Sequence, residues 1–267
     1  MGTQLSINHL IADIGRGHLI LPEFQRGYVW NNAQVREFLA SLYRGYPTGS
    51  FLVWKTPNPG ITRGAALGED GRVFQLILDG QQRLTSIYAL ATGEAPPFYE
   101  GESLFFDIYF NVKTEEFSYF KRSVMKGAME WLPVTEFLKL GLGDYLQTGG
   151  PVSTEKRDFL FQFFDRLKQL DGIKTYTYYL DALGERNMDE VVRIFNLVNS
   201  KGTGLSKSDL ALSHICAIWP EARQVMRAKQ KELSGHGFSF DLDFYVRLRA
   251  CFTTGRGSRG RRGSRRG

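Results

Sequence analysis

Val73 to Leu78 is a nearly continuous apolar run of strand length, and it ends abruptly on the polar pentapeptide Asp79-Gly80-Gln81-Gln82-Arg83. A run of this kind reads as a strand covered on both faces. Directly behind it Leu84, Ile87, Tyr88 and Leu90 recur at helical spacing, and Gly93 supplies a stop signal. The chain must therefore carry a buried strand into a packed helix across a turn of very few residues. A helix start of this kind exposes free backbone amides and the positive end of the helix dipole, which suits an anion.

Other elements arrange themselves around this turn. Ser6 is placed to cap a short helix with Ile7, Leu10, Ile11 and Ile14 on one face, and Leu19 to Leu21 runs extended into Pro22. A second helix follows Asn31-Asn32, with Val35, Phe38, Leu39 and Leu42 at its buried spacing. Phe51 to Trp54 reads as a strand, and Thr56 to Arg72, rich in Gly and Pro, as a loop. Leu104 to Asn111 and Glu116 to Phe120 suggest a hairpin. Beyond about residue 121 the pattern is mainly helical. Thr154 caps a helix with Phe159, Leu160, Phe163, Phe164 and Leu167, Lys174 to Leu180 adds a strand, and Met188 to Val198 is a helix. Ser206 opens a last helix with Asp209 three residues on. The expected organisation is a nucleotide-binding core over 1–120, a mainly helical region over 121–254 and a disordered Arg/Gly tail over 255–267.

Three polar clusters carry chemical potential. In the first, Gly80 permits a tight turn and Arg83 can fork onto phosphate oxygens. Asp79 can hold a metal or act as a base, and Gln81 and Gln82 can orient water or read a base edge. The same residues also suit a plain polar turn, with Asp79 as helix cap and Arg83 in solvent. The second cluster is Leu21-Pro-Glu-Phe-Gln-Arg-Gly-Tyr-Val-Trp30. Here Gln25 and Arg26 sit among Phe24, Tyr28 and Trp30, a mixture that suits bases and phosphates, or equally a core with an ion pair. The third is Asn199-Ser200-Lys201-Gly-Thr-Gly204, a helix-to-helix turn with amides, a lysine and small hydroxyls.

Composition narrows the class. Hydrophobic content of 42% and charged content of 23% are those of a globular chain. No apolar run reaches the roughly 18 residues of a membrane span. The start lacks the basic and apolar segments of a signal peptide, and the cysteines, which suggest no disulfide framework, make a reducing cytoplasm the default compartment. The two cysteines and four histidines form no disulfide framework and no zinc site, and no P-loop occurs, because Gly204 is followed by Leu205. The net charge of +6 resides in the six arginines after Gly255; the rest balances 28 basic against 28 acidic residues. DNA affinity must then come from local patches or from that tail.

Taken together, Leu21–Trp30, Gly45-Tyr-Pro-Thr-Gly-Ser-Phe51, Leu78–Thr85 and Phe195–Ser206 resemble, in order and spacing, the N-terminal domain of GmrSD-type type IV restriction systems. That domain also begins the nucleotide-hydrolysing partner in phosphorothioate-sensing phage defence. The resemblance implies an α+β fold, a ParB/sulfiredoxin-like mixed core followed by a mainly helical region. It implies hydrolysis of a nucleoside triphosphate coupled to sensing of modified DNA, a Mg²⁺-assisted reaction in which Asp79 would position either the metal or the water. On this sequence Asp79, Gln81, Gln82 and Arg83 become the catalytic set. Gln25, Arg26, Gly80, Asn199, Ser200 and Lys201 bind nucleotide or phosphate, and Tyr28 and Trp30 are the DNA-contact candidates. The alternative is a non-catalytic, nucleotide-gated DNA-binding module serving a partner nuclease. Relatives of this kind continue into, or work with, a His-Asn-His nuclease; none is legible here, so that activity is expected from a separate subunit. The Arg/Gly ending leaves open a truncated or frameshifted C-terminus.

Overall fold

A computed structural model describes residues 2–57, 62–63, 73–101, 103–147, 149–184, 186–199, 207–219, 221–236 and 244–246. The chain divides into two compact units: one from residues up to Pro22 and from Gly27 to Arg186, the other from Glu23–Arg26 and the described residues from Asn187 on.

The first unit opens with β1 (Thr3–Ser6) and α1 (Ile7–Gly15). Ser6 caps the helix by accepting the His9 amide, and Ile7, Leu10 and Ile14 are buried along one face. Then come β2 (Leu19–Pro22) and α2 (Asn32–Tyr43). Asn31 and Gln34 form a reciprocal capping box at the start of α2, with bonds of 3.0 and 2.9 Å. β3 (Phe51–Thr56), the two-residue β4 (Thr62–Arg63), β5 (Phe74–Asp79) and α3 (Gln81–Thr92) follow. The hairpin of β6 (Ile108–Asn111) and β7 (Glu116–Tyr119) precedes a single turn α4 (Arg122–Met125) and β8 (Trp131–Pro133). Three helices, α5 (Val134–Leu146), α6 (Thr154–Phe161) and α7 (Phe164–Asp171), lead to β9 (Thr177–Leu183).

The main sheet is mixed, in the order β1-β9-β3-β5-β2-β4. β9 and β3 run parallel, as do β5 and β2, while the other neighbours are antiparallel. β5 lies between β3 and β2, and Leu76, Ile77 and Leu78 have no exposed surface. That is the burial an unbroken apolar run requires. A second, antiparallel sheet has the order β7-β6-β8.

The second unit holds α8 (Met188–Asn199), α9 (Lys207–Ile218) and α10 (Ala222–Gly235). Val191, Val192 and Phe195 turn inward from α8. The segment Glu23–Arg26 belongs here: Phe24 meets Phe195 edge-on at 5.1 Å, and the Arg223 Nε donates to the Glu23 carbonyl at 2.7 Å. Arg223 is only 2% exposed.

The fold is mixed α+β, as the sequence implied. Several details differ: β1 was not among the expected elements, and β4 falls inside the segment expected as a loop. Ser153, not Thr154, caps α6, accepting the Lys156 amide. The helix expected through Leu167 breaks at Phe163, whose backbone leaves the helical region, and the break lets both Leu160 and Leu167 reach the core. The strand expected over Lys174–Leu180 lies later, because a 3₁₀ turn occupies Gly172–Thr175. The Ser206 cap and the tail lie outside the described residues. Among those described, no helix is long and apolar enough to cross a membrane.

Candidate functional site

The site begins where β5 stops. Asp79 pairs with Leu52 of β3, and the register slips between Leu52 and Val53, a bulge beside the turn. Gly80 then takes the left-handed conformation, φ +96°, and a Cβ there would strike the Phe51 ring. No other residue type fits this backbone against this neighbour, so Gly80 makes the one-residue passage from strand to helix possible. It is also the N-cap of α3, and no side chain caps that helix. The Leu84 amide bonds back to the Gly80 carbonyl at 3.0 Å. The amides of Gln81, Gln82 and Arg83 precede it, in the turn where a helix has no acceptor of its own.

The side chains of the motif hold two other segments against this turn. Arg83 donates from Nη1 to the Thr48 carbonyl at 2.6 Å and from Nη2 to the Ser50 carbonyl at 2.8 Å. It also pairs with Asp79 at 3.2 Å and lies 5.0 Å over the Phe51 ring. The Arg83 side chain is 14% exposed and that of Asp79 38%, so the carboxylate is the more open of the pair. Gly49 is left-handed at φ +90°, and a Cβ there would lie 2.7 Å from the Arg83 Nη1. The same loop is anchored by Tyr176, which donates to the Tyr46 carbonyl, and by a 2.6 Å bond between Thr48 Oγ1 and Tyr178 OH. Burial pushes the Tyr178 hydroxyl up to about 12, against the pull of the Thr48 bond and of Arg83.

Gln82 performs the matching task on Gly27–Trp30. Its Oε1 accepts the Val29 and Trp30 amides at 2.8 and 3.2 Å, and its Nε2 donates to the Gly27 carbonyl at 3.2 Å. Tyr28 OH lies 2.7 Å from Ser86 Oγ. Ser86 gives its own proton to the Gln82 carbonyl, so Tyr28 is the donor in that bond. Burial raises the Tyr28 hydroxyl far above its ordinary value.

The structure therefore joins Asp79, Gly80, Gln81, Gln82 and Arg83 to Gly27–Trp30 and to Gly45–Ser50. Gln81 is buried at the first position of α3. Of the two aromatic DNA-contact candidates, Tyr28 packs near Tyr99 and Phe106, and Trp30 meets Phe38 edge-on at 5.2 Å. Gln25 and Arg26 fall in the second unit, Gln25 buried. Asn199 ends α8, where its Nδ2 donates to the Phe195 carbonyl at 2.9 Å. Ser200 and Lys201 lie outside the described residues. Among the described residues no group of three or more His, Cys, Asp or Glu could hold a metal ion.

Sequence reasoning missed Thr48, Tyr176, Tyr178 and Ser86 as parts of this assembly. Tyr178 stands 130 residues from its partner Thr48, and no local pattern signals such a bond.

Residues 7–216 match the family model described as the N-terminal domain of the GmrSD restriction endonuclease. Over 89 residues the chain is 34% identical to an uncharacterized protein of Methanocaldococcus jannaschii. That stretch is 30% of this chain and only 15% of the length of that relative.

Proposed function

The chain belongs to the GmrSD restriction endonuclease N-terminal domain family, and on that premise we propose that it binds and hydrolyses a nucleoside triphosphate within a modification-dependent DNA restriction system. Hydrolysis is coupled to the sensing of DNA, and residues 1–120 form a ParB/sulfiredoxin-like core. One observation carries this reading: β5 passes through the left-handed Gly80 into α3 with no side-chain cap, which sets the first-turn amides of Gln82 and Arg83 beside an accessible carboxylate. Such a terminus is a ready phosphate site.

In this reading the amides of Gln82 and Arg83 hold phosphate oxygens, and Asp79 positions the attacking water. Gln82 and Arg83 act as positioning residues, since their polar atoms already grip the backbone of Gly27–Trp30, Thr48 and Ser50. Asp79, with no cluster of further acidic or histidine ligands among the described residues, fits a Mg²⁺ that would take its other ligands from phosphate and water. When bound, that ion neutralises phosphate charge.

The test is phosphate release by the full chain with ATP or GTP, with and without DNA, for the wild type and Asp79→Asn. DNA should accelerate release, and Asp79→Asn should lower it at least about 100-fold, the scale of one lost transition-state contact, with nucleotide binding retained. A wild type that neither binds nor hydrolyses any nucleoside triphosphate sinks the reading. The commitment of Gln82 and Arg83 to backbone contacts favours a second reading, a nucleotide-gated DNA-binding module serving a partner nuclease. Nucleotide-dependent DNA affinity without phosphate release would select it.

A further inference from the structure

A cleft of about 430 Å³ opens in the first unit between α2, the β6–β7 hairpin and α4, and Asp79–Arg83 do not line it. Its floor is apolar: Phe117, Met125 and Trp131 are each buried. Three exposed cations, Arg36, Arg44 and Lys121, stand on its walls. We propose that this cleft binds one strand of nucleic acid, with Arg36, Arg44 and Lys121 gripping phosphates and the apolar floor taking the face of a sugar or base. The inference rests on the reading that the domain meets DNA, and it gives that contact a place.

The spacing of the cations favours a polymer. Arg44, the C-cap of α2, lies eight residues beyond Arg36, with Ala40 between them on the same wall. Two turns of helix separate them by about 12 Å. One phosphate group cannot span that distance, whereas successive phosphates of a strand can meet both side chains. Among the described residues none of the three cationic side chains forms an ion pair or hydrogen bond, so an incoming anion displaces no internal partner. A small, recessed residue between two arginines also leaves room for the strand to approach the helix.

The acids on the walls do not cancel this attraction. Glu115 is already neutralised: its carboxylate accepts the Tyr43 hydroxyl at 2.9 Å and pairs with the Arg166 Nε at 3.0 Å. Glu115 sits in the turn of the hairpin in a left-handed conformation, φ 59°, the one non-glycine in that region among the described residues, and its amide bonds to the Asn111 carbonyl at 2.8 Å. Glu37 and Glu116 remain, two anions against three unpaired cations. An apolar floor below a cationic rim is the arrangement by which single strands are held without reading sequence. A duplex buries its base faces in its own stack, so it can use the rim but not the floor.

The experiment is anisotropy of a labelled oligothymidylate, and separately of a duplex, titrated with the full chain over a series of salt concentrations. The wild type is compared with Arg36→Ala, Arg44→Ala and Lys121→Ala combined. A control combines Lys55→Ala, Lys139→Ala and Lys168→Ala, three exposed lysines elsewhere on the same unit. Loss of three single-strand phosphate contacts should make the log–log salt slope shallower by about 2 in the cleft variant. The control should keep the wild-type slope, and nucleotide titration should be unchanged in both. Equal slopes for wild type and cleft variant, or an equal loss in the control, would overturn the inference while leaving the nucleotide reading intact. A cleft variant that loses nucleotide binding but not DNA binding would also overturn it, by making the cleft a free-nucleotide site. A wild type that binds no DNA removes both this inference and the DNA half of the proposed function. If the triple variant melts early, Arg36→Gln with Arg44→Gln gives the same test with an expected slope change of about 1.4.

Discussion

Arg83 donates to the Thr48 carbonyl at 2.6 Å, a bond that closes 35 residues of chain. With its second bond to Ser50 and its contact with Phe51, this guanidinium fixes the loop that leads into β3. The planar fork suits two carbonyls and a carboxylate at once, a geometry that a lysine cannot reproduce.

Replacing Arg83 by Ala should therefore destabilise the fold, by about 2–3 kcal/mol, the scale of hydrogen bonds made by a charged donor. Arg83→Lys should recover less than half of the loss. Urea denaturation of the three proteins is the measurement. A position at a solvated rim predicts no change in stability, and such a result would refute the clamp.

Gln82 offers a cleaner dissection because both ends of its amide are engaged. In Gln82→Glu the carboxylate keeps the acceptor for the Val29 and Trp30 amides but faces the Gly27 carbonyl without a donor. In Gln82→Ala all three backbone groups lose their partner, at about 1 kcal/mol each. Hydrogen exchange at Val29 and Trp30 should be fastest in Gln82→Ala and intermediate in Gln82→Glu. Unchanged exchange in both variants would mean that the segment is held by other contacts.

The two left-handed glycines should be intolerant for different reasons. Gly80→Ala adds a methyl group into the Phe51 ring as well as adopting an unfavourable φ, together about 2–5 kcal/mol. Phe51→Ala in the same chain would open the space but not relieve the backbone, so the double variant should not regain wild-type stability. Gly49→Ala meets the Arg83 Nη1 at 2.7 Å, and its effect should shrink when Arg83 is already Ala. Thermal melts of the single and double variants decide both claims; strictly additive losses at Gly49 and Arg83 would count against the contact.

Alkali should loosen the loop from its other anchor. Tyr178 titrates near 10 in an unfolded chain, but burial lifts it to about 12 in the fold. The unfolded chain thus loses this proton first as pH rises. The stability tied to the neutral hydroxyl is complete below pH 10 and is lost as pH climbs from 10 toward 12. Tyr178→Phe should start slightly less stable at neutral pH, having lost the Thr48 bond, and should decline less steeply above pH 10. Melting temperature measured across this range checks it, and parallel curves for the two proteins would rule out a role for Tyr178.

The local elements were legible because their causes are local. Ser6, Asn31 with Gln34, and Gly93 act within one turn of the helices they bound, so their residue types announce the ends of those helices. The apolar run ending at Leu78 determined a central strand, since only burial on both faces accommodates it. Gly80 marked the turn, because no side chain fits that backbone beside Phe51. β1 was not legible: four residues with a single apolar one, Leu5, carry no strand signal until β9 supplies their hydrogen-bond partners.

The destinations of the motif's side chains were decided by tertiary structure alone. Arg83 is equally suited by its chemistry to phosphate, solvent or a carbonyl, and folding brings the Thr48 and Ser50 carbonyls within its reach. Gln82 could orient water or read a base edge, yet the backbone of Gly27–Trp30 occupies its amide. The segment Leu21–Trp30, continuous in sequence, is divided because Glu23–Arg26 pack with α8 and α10, while Gly27–Trp30 bond to α3. Periodicity and caps depend on neighbours within a few residues and can be read from order. Which distant carbonyl or amide a polar side chain meets depends on how strands and helices are brought together in space, and that information is not periodic.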